Sequence, residues 1–178
     1  MLAEYIDNDK DGLPDDGAVL EHLKRQNLLV PVWVMSTREQ FNQNRRGTEY
    51  EDGVTLVASM YYDQDQWAMG GIESAGKWNT NLEEIWHIVS IGWYATYPEF
   101  FGGETSESSK LVNAMDDAGG GRFFAIPDKY PDNAWYSYYD DTCDHACQRH
   151  EYFYWITMAN IDALDPVLTS KYVDSAHE

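Results

Sequence analysis

Glu83, Glu84 and His87 occupy the first, second and fifth places of "EEIWH", inside the stretch "NTNLEEIWHIVSIGWYATYP" (residues 79–98). Residues four apart on a helix share a face, so Glu83 and His87 point the same way with Glu84 beside them. H-E-x-x-H uses this arrangement: the two outer residues hold Zn²⁺ and the inner Glu activates a water. Here a Glu stands in place of the first His. In that mapping Glu83 and His87 are ligands and Glu84 is the general base. A second mapping takes Glu84 and His87 as the E-x-x-H ligand pair of a di-iron helix, but the chain has no second E-x-x-H. A third needs no metal. Carboxylates in the first turn of a helix meet the positive end of its dipole, and His87 becomes a core histidine with one hydrogen bond.

A metal helix needs a further ligand, and "CDHACQRHEYFYW" (Cys143 to Trp155) offers one. Cys143, Cys147 and Glu151 are spaced four and four, so on a helix they share a face that His150 flanks. A Glu inside an aromatic run is costly to bury unless it is paired, protonated or metal-bound. Glu151 is therefore the candidate third ligand, giving Glu83, His87, Glu151 and a water around Zn²⁺ or another transition metal. Tyr152 or Tyr154, and His150 or His145, are available as oxyanion donors, and His150 and Tyr154 as supporting groups beside the ligands. Cys143 and Cys147 are the only cysteines. One helical turn apart, their Cα atoms would stand about 6 Å from each other, inside the disulfide range. C-x-x-x-C is a weak zinc signal, since finger spacings are shorter and come in two pairs. A disulfide in an oxidising compartment is the favoured expectation, and a thiolate pair for zinc or copper the other.

The stretch "DNDKDGLPDD" carries a different chemistry. Asp7, Asp9 and Asp11 alternate, Gly12 permits a sharp turn, the Leu13 carbonyl can fill the next place, and Asp15 and Asp16 follow. Hard oxygen ligands at these spacings select Ca²⁺. The twelfth loop position is Ala18, where a regulatory EF-hand has a bidentate Glu, so binding is expected to be weaker and structural. Without a cation the run is a solvated acidic loop that caps the next helix.

Net charge is −19, from 12 Lys and Arg against 31 Asp and Glu. Nucleic-acid binding needs clustered cations, and so does an anionic membrane surface, so neither is expected as a partner. No apolar run reaches the roughly 20 residues of a membrane span, and no signal-peptide pattern follows Met1. At 178 residues, 43% hydrophobic and 15% aromatic, the chain can bury one real core.

Hydrophobic periodicity and breakers give the elements that position these residues. A helix is expected over Ala18–Asn27 with Asp16 as a cap, a strand over Leu28–Met35 that Pro31 pushes to an edge, and a short helix from Ser36. The best strand is "GVTLVASMYY" (Gly53 to Tyr62), followed by a Gly-rich loop. The Glu83 helix is capped by Thr80 or Asn81 and stopped by Pro98. A helix over Ser106–Gly121, an irregular aromatic segment and a long helix over Asp140–Leu164 complete the chain. This is an α+β domain, a small sheet followed by a mostly helical part with two long helices. It is expected as a single unit over residues 1–178, with a calcium-type helix–loop–helix at 1–27 and a tail at 165–178.

With these segments in place, the chain resembles a group of uncharacterised, secreted, acidic proteins of bacteria and marine organisms. The resemblance rests on "AEYIDNDKDGLPDD", "EEIWHIVSIGWYATYPEFFG" and "YDDTCDHACQRHEYFYW" and spans most of the chain. It implies an extracellular setting and no particular reaction. The acidic loop alone is similar to those of thrombospondin type 3 repeats and degenerate extracellular EF-hands. Looser is a likeness to the zincins, in whose gluzincin branch the third zinc ligand is a Glu on a later helix and a strand before the motif helix binds an extended peptide. It implies a peptidase-like, zinc-dependent hydrolase acting on a peptide or protein. The alternative is a non-catalytic, calcium-stabilised secreted domain for structural or interaction roles.

Overall fold

The computed structural model describes residues 2–44, 55–56, 60–64, 70, 74, 78–102 and 108–161. These residues are mostly helical. The helices are α1 (Leu2–Ile6), α2 (Gly17–Arg25), α3 (Arg38–Asn44), α4 (Thr80–Thr96), α5 (Pro98–Phe101), α6 (Lys110–Gly119) and α7 (His145–Asn160). Strand structure is slight. β1 (Leu28–Leu29) pairs in parallel with β3 (Thr55–Leu56), and β2 (Val32–Trp33) with β4 (Met60–Tyr61). The single strand expected over residues 28–35 is split at Pro31, which has no N–H for a ladder; its carbonyl accepts from the Met60 amide at 3.0 Å. The expected sheet is thus reduced, among the described residues, to two two-stranded pairs. Much of the Gly-rich stretch after Gln64, and the tail at 165–178, lie outside them.

Two compact units divide between Gly92 and Trp93. In the first, Asp16 caps α2 by accepting from the Ala18 and Val19 amides, both at 2.9 Å. Ile85 and Ile88 of α4 form a core against which Tyr5, Leu28, Val30 and Met60 pack. Tyr5 adds a ring contact with Trp86 at 5.3 Å and donates its hydroxyl to the Leu82 carbonyl. Val19 and Leu23 of α2 are buried and lie hard against Gly92: a Cβ there would meet Val19 Cγ1 at 2.7 Å. The absence of a side chain lets the two helices approach. The cap of α4 is Asn79, whose side chain accepts from the Asn81 amide at 3.0 Å, rather than Thr80 or Asn81. Pro98 disfavours helical geometry at Tyr97, so α4 stops at Thr96 and Pro98 opens α5.

In the second unit α5 packs on α6 and α6 on α7. Ser109 caps α6, and Gly120, at φ 76°, ends it in the left-handed conformation that glycine favours. The buried face of α6 (Leu111, Val112, Met115, Ala118) and that of α7 (Tyr152, Tyr154, Met158) supply the core. Phe101 stacks on Phe153 at 4.9 Å. Arg149 is 1% exposed and lies over the Tyr94 ring at 4.6 Å, a cation–π contact that offsets part of the cost of burying its charge. The last helix begins at His145, later than the expected Asp140, because Asp144 turns out of it and caps it through the Cys147 amide. No described helix is long and apolar enough to cross a membrane.

Candidate metal centre

The first two turns of a helix are where an N-terminal acidic pair and a following His can face each other, and α4 does this. Glu83 Oε1 lies 3.5 Å from His87 Nε2, and both side chains are about four-fifths buried, 19% and 22% exposed. A charge-assisted hydrogen bond between carboxylate and imidazolium would close to about 2.7–2.9 Å. Two ligand atoms each about 2.0–2.2 Å from one tetrahedral ion stand about 3.4 Å apart. The observed spacing fits the second requirement better than the first. Glu84 is half-buried on the adjacent flank of the helix. Below them, Ser90 donates its hydroxyl to the His87 carbonyl at 2.9 Å, which holds that turn.

Glu151 belongs to the second unit, on α7, where it is 7% exposed within the buried run Tyr152, Phe153, Tyr154 and Trp155. Its surroundings include Tyr136, which sequence spacing did not single out. The Tyr136 hydroxyl is buried with no hydrogen-bond partner among the described residues, and its ring meets Tyr152 edge-on at 4.9 Å. Burial first, and the Glu151 charge second, push its ionisation far above the usual tyrosine range. The hydroxyl is therefore held protonated, a donor beside a buried carboxylate. Tyr136 lies in an irregular segment with no periodicity to tie it to Glu151, and the density of tyrosines there is the only sequence signal.

The other candidates are placed as follows. His150 packs edge-on against Tyr94 at 4.8 Å and lies 3.2 Å from Arg149 Nη2. Tyr154 is fully buried against Trp155. Tyr152 is buried. His145 faces Asp116 at 2.9 Å, where Arg122 shares the same carboxylate at 2.6 Å. Cys143 and Cys147 form a disulfide with a Cα–Cα separation of 5.3 Å. Cys143 stands before the helix cap, so it does not share a helical face with Cys147 and Glu151.

In the acidic loop, Asp7, Asp9 and Asp15 each offer a carboxylate oxygen, and these lie within 4.8 Å of one another, a group that could hold a metal ion. Lys10 at φ 61° and Gly12 at φ 85° turn the backbone. Asp7 accepts from the Asp11 and Gly12 amides at 3.1 and 3.0 Å, and Asp15 from the Asn8 amide at 2.9 Å. Asp11 spends one oxygen on the Leu13 amide at 2.8 Å, and Asp16 spends one on the α2 cap. Burial is slight here: Asp9, Asp11, Leu13 and Asp15 are exposed.

No known protein family, curated protein or solved structure matches this chain.

Proposed function

We propose that this protein is a metal-dependent hydrolase of peptidase-like chemistry, in which Glu83, His87 and Glu151 hold Zn²⁺ or a similar transition metal and Glu84 is the general base. The observation that carries this is the 3.5 Å spacing of Glu83 and His87 on one partly buried helix face. A bound ion would neutralise the buried Glu151, polarise a substrate carbonyl and lower the pKa of a bound water. Glu84 would take the proton from that water, and Tyr136, held protonated, is suited to donate to a developing oxyanion. In a zincin-like order, the segment around β3 and β4 ahead of α4 would be the one to receive an extended peptide substrate. The disulfide and the acidic loop favour a secreted, extracellular protein. Glu84→Gln should abolish hydrolysis of a denatured-protein substrate such as casein while metal stays bound. Hydrolysis by that variant at the wild-type rate would remove Glu84 from the mechanism.

The cluster of Asp7, Asp9 and Asp15 favours a second reading, a calcium-stabilised extracellular domain without catalysis. Its mark would be a melting temperature that rises with Ca²⁺ and falls with a chelator, an effect lost in Asp7→Asn. A chain that behaves so, carries no transition metal and hydrolyses nothing would replace the enzyme with this module.

A further inference from the structure

Between α6 and α7 the chain runs "PDKYPDNAWYSYY" (Pro127 to Tyr139), with no regular structure. It is nonetheless pinned. The Trp135 and Tyr136 amides both donate to the Ala118 carbonyl, at 2.9 and 3.2 Å, and the Ala134 amide to the Pro131 carbonyl at 2.9 Å. The Tyr138 amide donates to the Tyr130 hydroxyl at 3.2 Å. On this fixed frame Trp135 and Tyr139 are each 72% exposed. Holding two large rings out in water on an ordered backbone forgoes burial that each could have had. A neighbouring concavity gives them a use. Together with Tyr130 and Tyr136 they line a pocket of about 410 Å³, a size suited to a small organic ligand.

Pro127, Pro131 and Ala134 add apolar lining, and Asp128, Lys129 and Ser137 supply its charged and polar groups. Ser137 donates its hydroxyl to Tyr139 at 3.0 Å. Lys129 is tied to Asp132 at 2.9 Å, so the pocket keeps no unbalanced cation. A chain of net charge −19 also repels anions in general. Phosphorylated and carboxylated ligands are therefore disfavoured. What the pocket fits is a neutral molecule with flat C–H faces and many hydroxyls. The electron-rich face of a Trp or Tyr ring attracts polarised C–H groups, while Asp128, Ser137 and the exposed Tyr139 hydroxyl can exchange hydrogen bonds with hydroxyls at the ligand's rim.

We propose that this loop is a binding site for neutral carbohydrate, with Trp135 and Tyr139 as the stacking platforms. A proline-rich peptide also docks on aromatic grooves, but it brings no hydroxyls for the polar half of the lining. The pocket shares Tyr136 with the metal chemistry proposed above, but its stacking platforms, Trp135 and Tyr139, take no part in that chemistry.

The test is calorimetric titration of the full chain with cello-, manno-, xylo-, laminari- and chito-oligosaccharides, and with decaproline as the competing ligand class. At least one saccharide should bind. Trp135→Ala and Tyr139→Ala should each weaken it roughly tenfold, and Trp135→Phe should restore most of the affinity. Both side chains are exposed, so unchanged circular dichroism and melting should show that the variants fold. Silence from every saccharide up to about 10 mM overturns the proposal. So does undiminished binding in the alanine variants, or binding of decaproline alone.

Discussion

Glu83 Oε1 and His87 Nε2 face each other at 3.5 Å across one turn of α4. That distance is long for a hydrogen-bonded ion pair and close to the edge of a tetrahedral coordination shell. An acidic helix start and a core histidine would each be unremarked alone. Their shared face and partial burial are what make the pair a candidate for two ligands of a metal site.

Gly92 sets the approach of α2 to α4, and its replacement has a sign that decides between two effects. Ala at an exposed helix interior would stabilise by about 1 kcal/mol relative to Gly. Here its Cβ would meet Val19 Cγ1 at 2.7 Å and the Val19 carbonyl at 3.2 Å. Overpacking costs about 1–3 kcal/mol, so Gly92→Ala should lower the urea midpoint. Combining it with Val19→Ala should cost less than the sum of the two single changes. A Gly92→Ala protein that melts higher than wild type would show that the helices do not meet there.

The Cys143–Cys147 disulfide closes a very short loop across the start of α7. Chain entropy alone assigns about 2 kcal/mol to a loop of that length. Reduction, or Cys143→Ser with Cys147→Ser, should destabilise the protein by about that much in urea titration. A midpoint that does not respond to reductant would mean that the bridge adds nothing to the Asp144 cap.

Alkaline stability should report the buried tyrosines. Burial raises the ionisation of Tyr5, and burial followed by the Glu151 charge raises that of Tyr136; Tyr130 and Tyr152 move the same way. The unfolded chain ionises its tyrosines near 10.0. Groups whose folded pKa lies above the unfolded value stabilise fully at lower pH and lose that contribution as pH rises beyond the unfolded value. The urea midpoint should therefore fall above pH 10.0, and Tyr136→Phe should flatten the fall while leaving neutral stability unchanged or higher. An identical slope in Tyr136→Phe would place that hydroxyl in water.

The helices were largely legible because their signals are local. Asp16 capping α2, Pro98 ending α4 and the glycines after α6 are read from adjacent residues. The sheet was not legible in the same way. A β-branched run says that a segment prefers extended backbone, but not how many of its residues find a partner, and Pro31 interrupts the ladder. The last helix was read too long because Asp144 and Cys143 fit a helical spacing, whereas Asp144 gains more as a cap. Within the candidate site, Glu83 and His87 were accessible from period alone. Tyr136 was not, since its relation to Glu151 depends on the path of an irregular loop. Gly92 carries no signal of its own in the sequence, because its role depends on Val19 of another helix lying against it.

Metal content tests the central claim most directly. The protein is loaded with Zn²⁺ at neutral pH, freed of excess ion by gel filtration without chelator, and analysed by inductively coupled plasma mass spectrometry. The wild-type chain should retain roughly one zinc, as a site of three protein ligands and a water does. His87→Ala and Glu151→Gln, checked for folding by circular dichroism, should retain almost none. A wild-type chain that emerges without zinc, or variants that keep it in full, would contradict the assignment of Glu83, His87 and Glu151 as a metal centre.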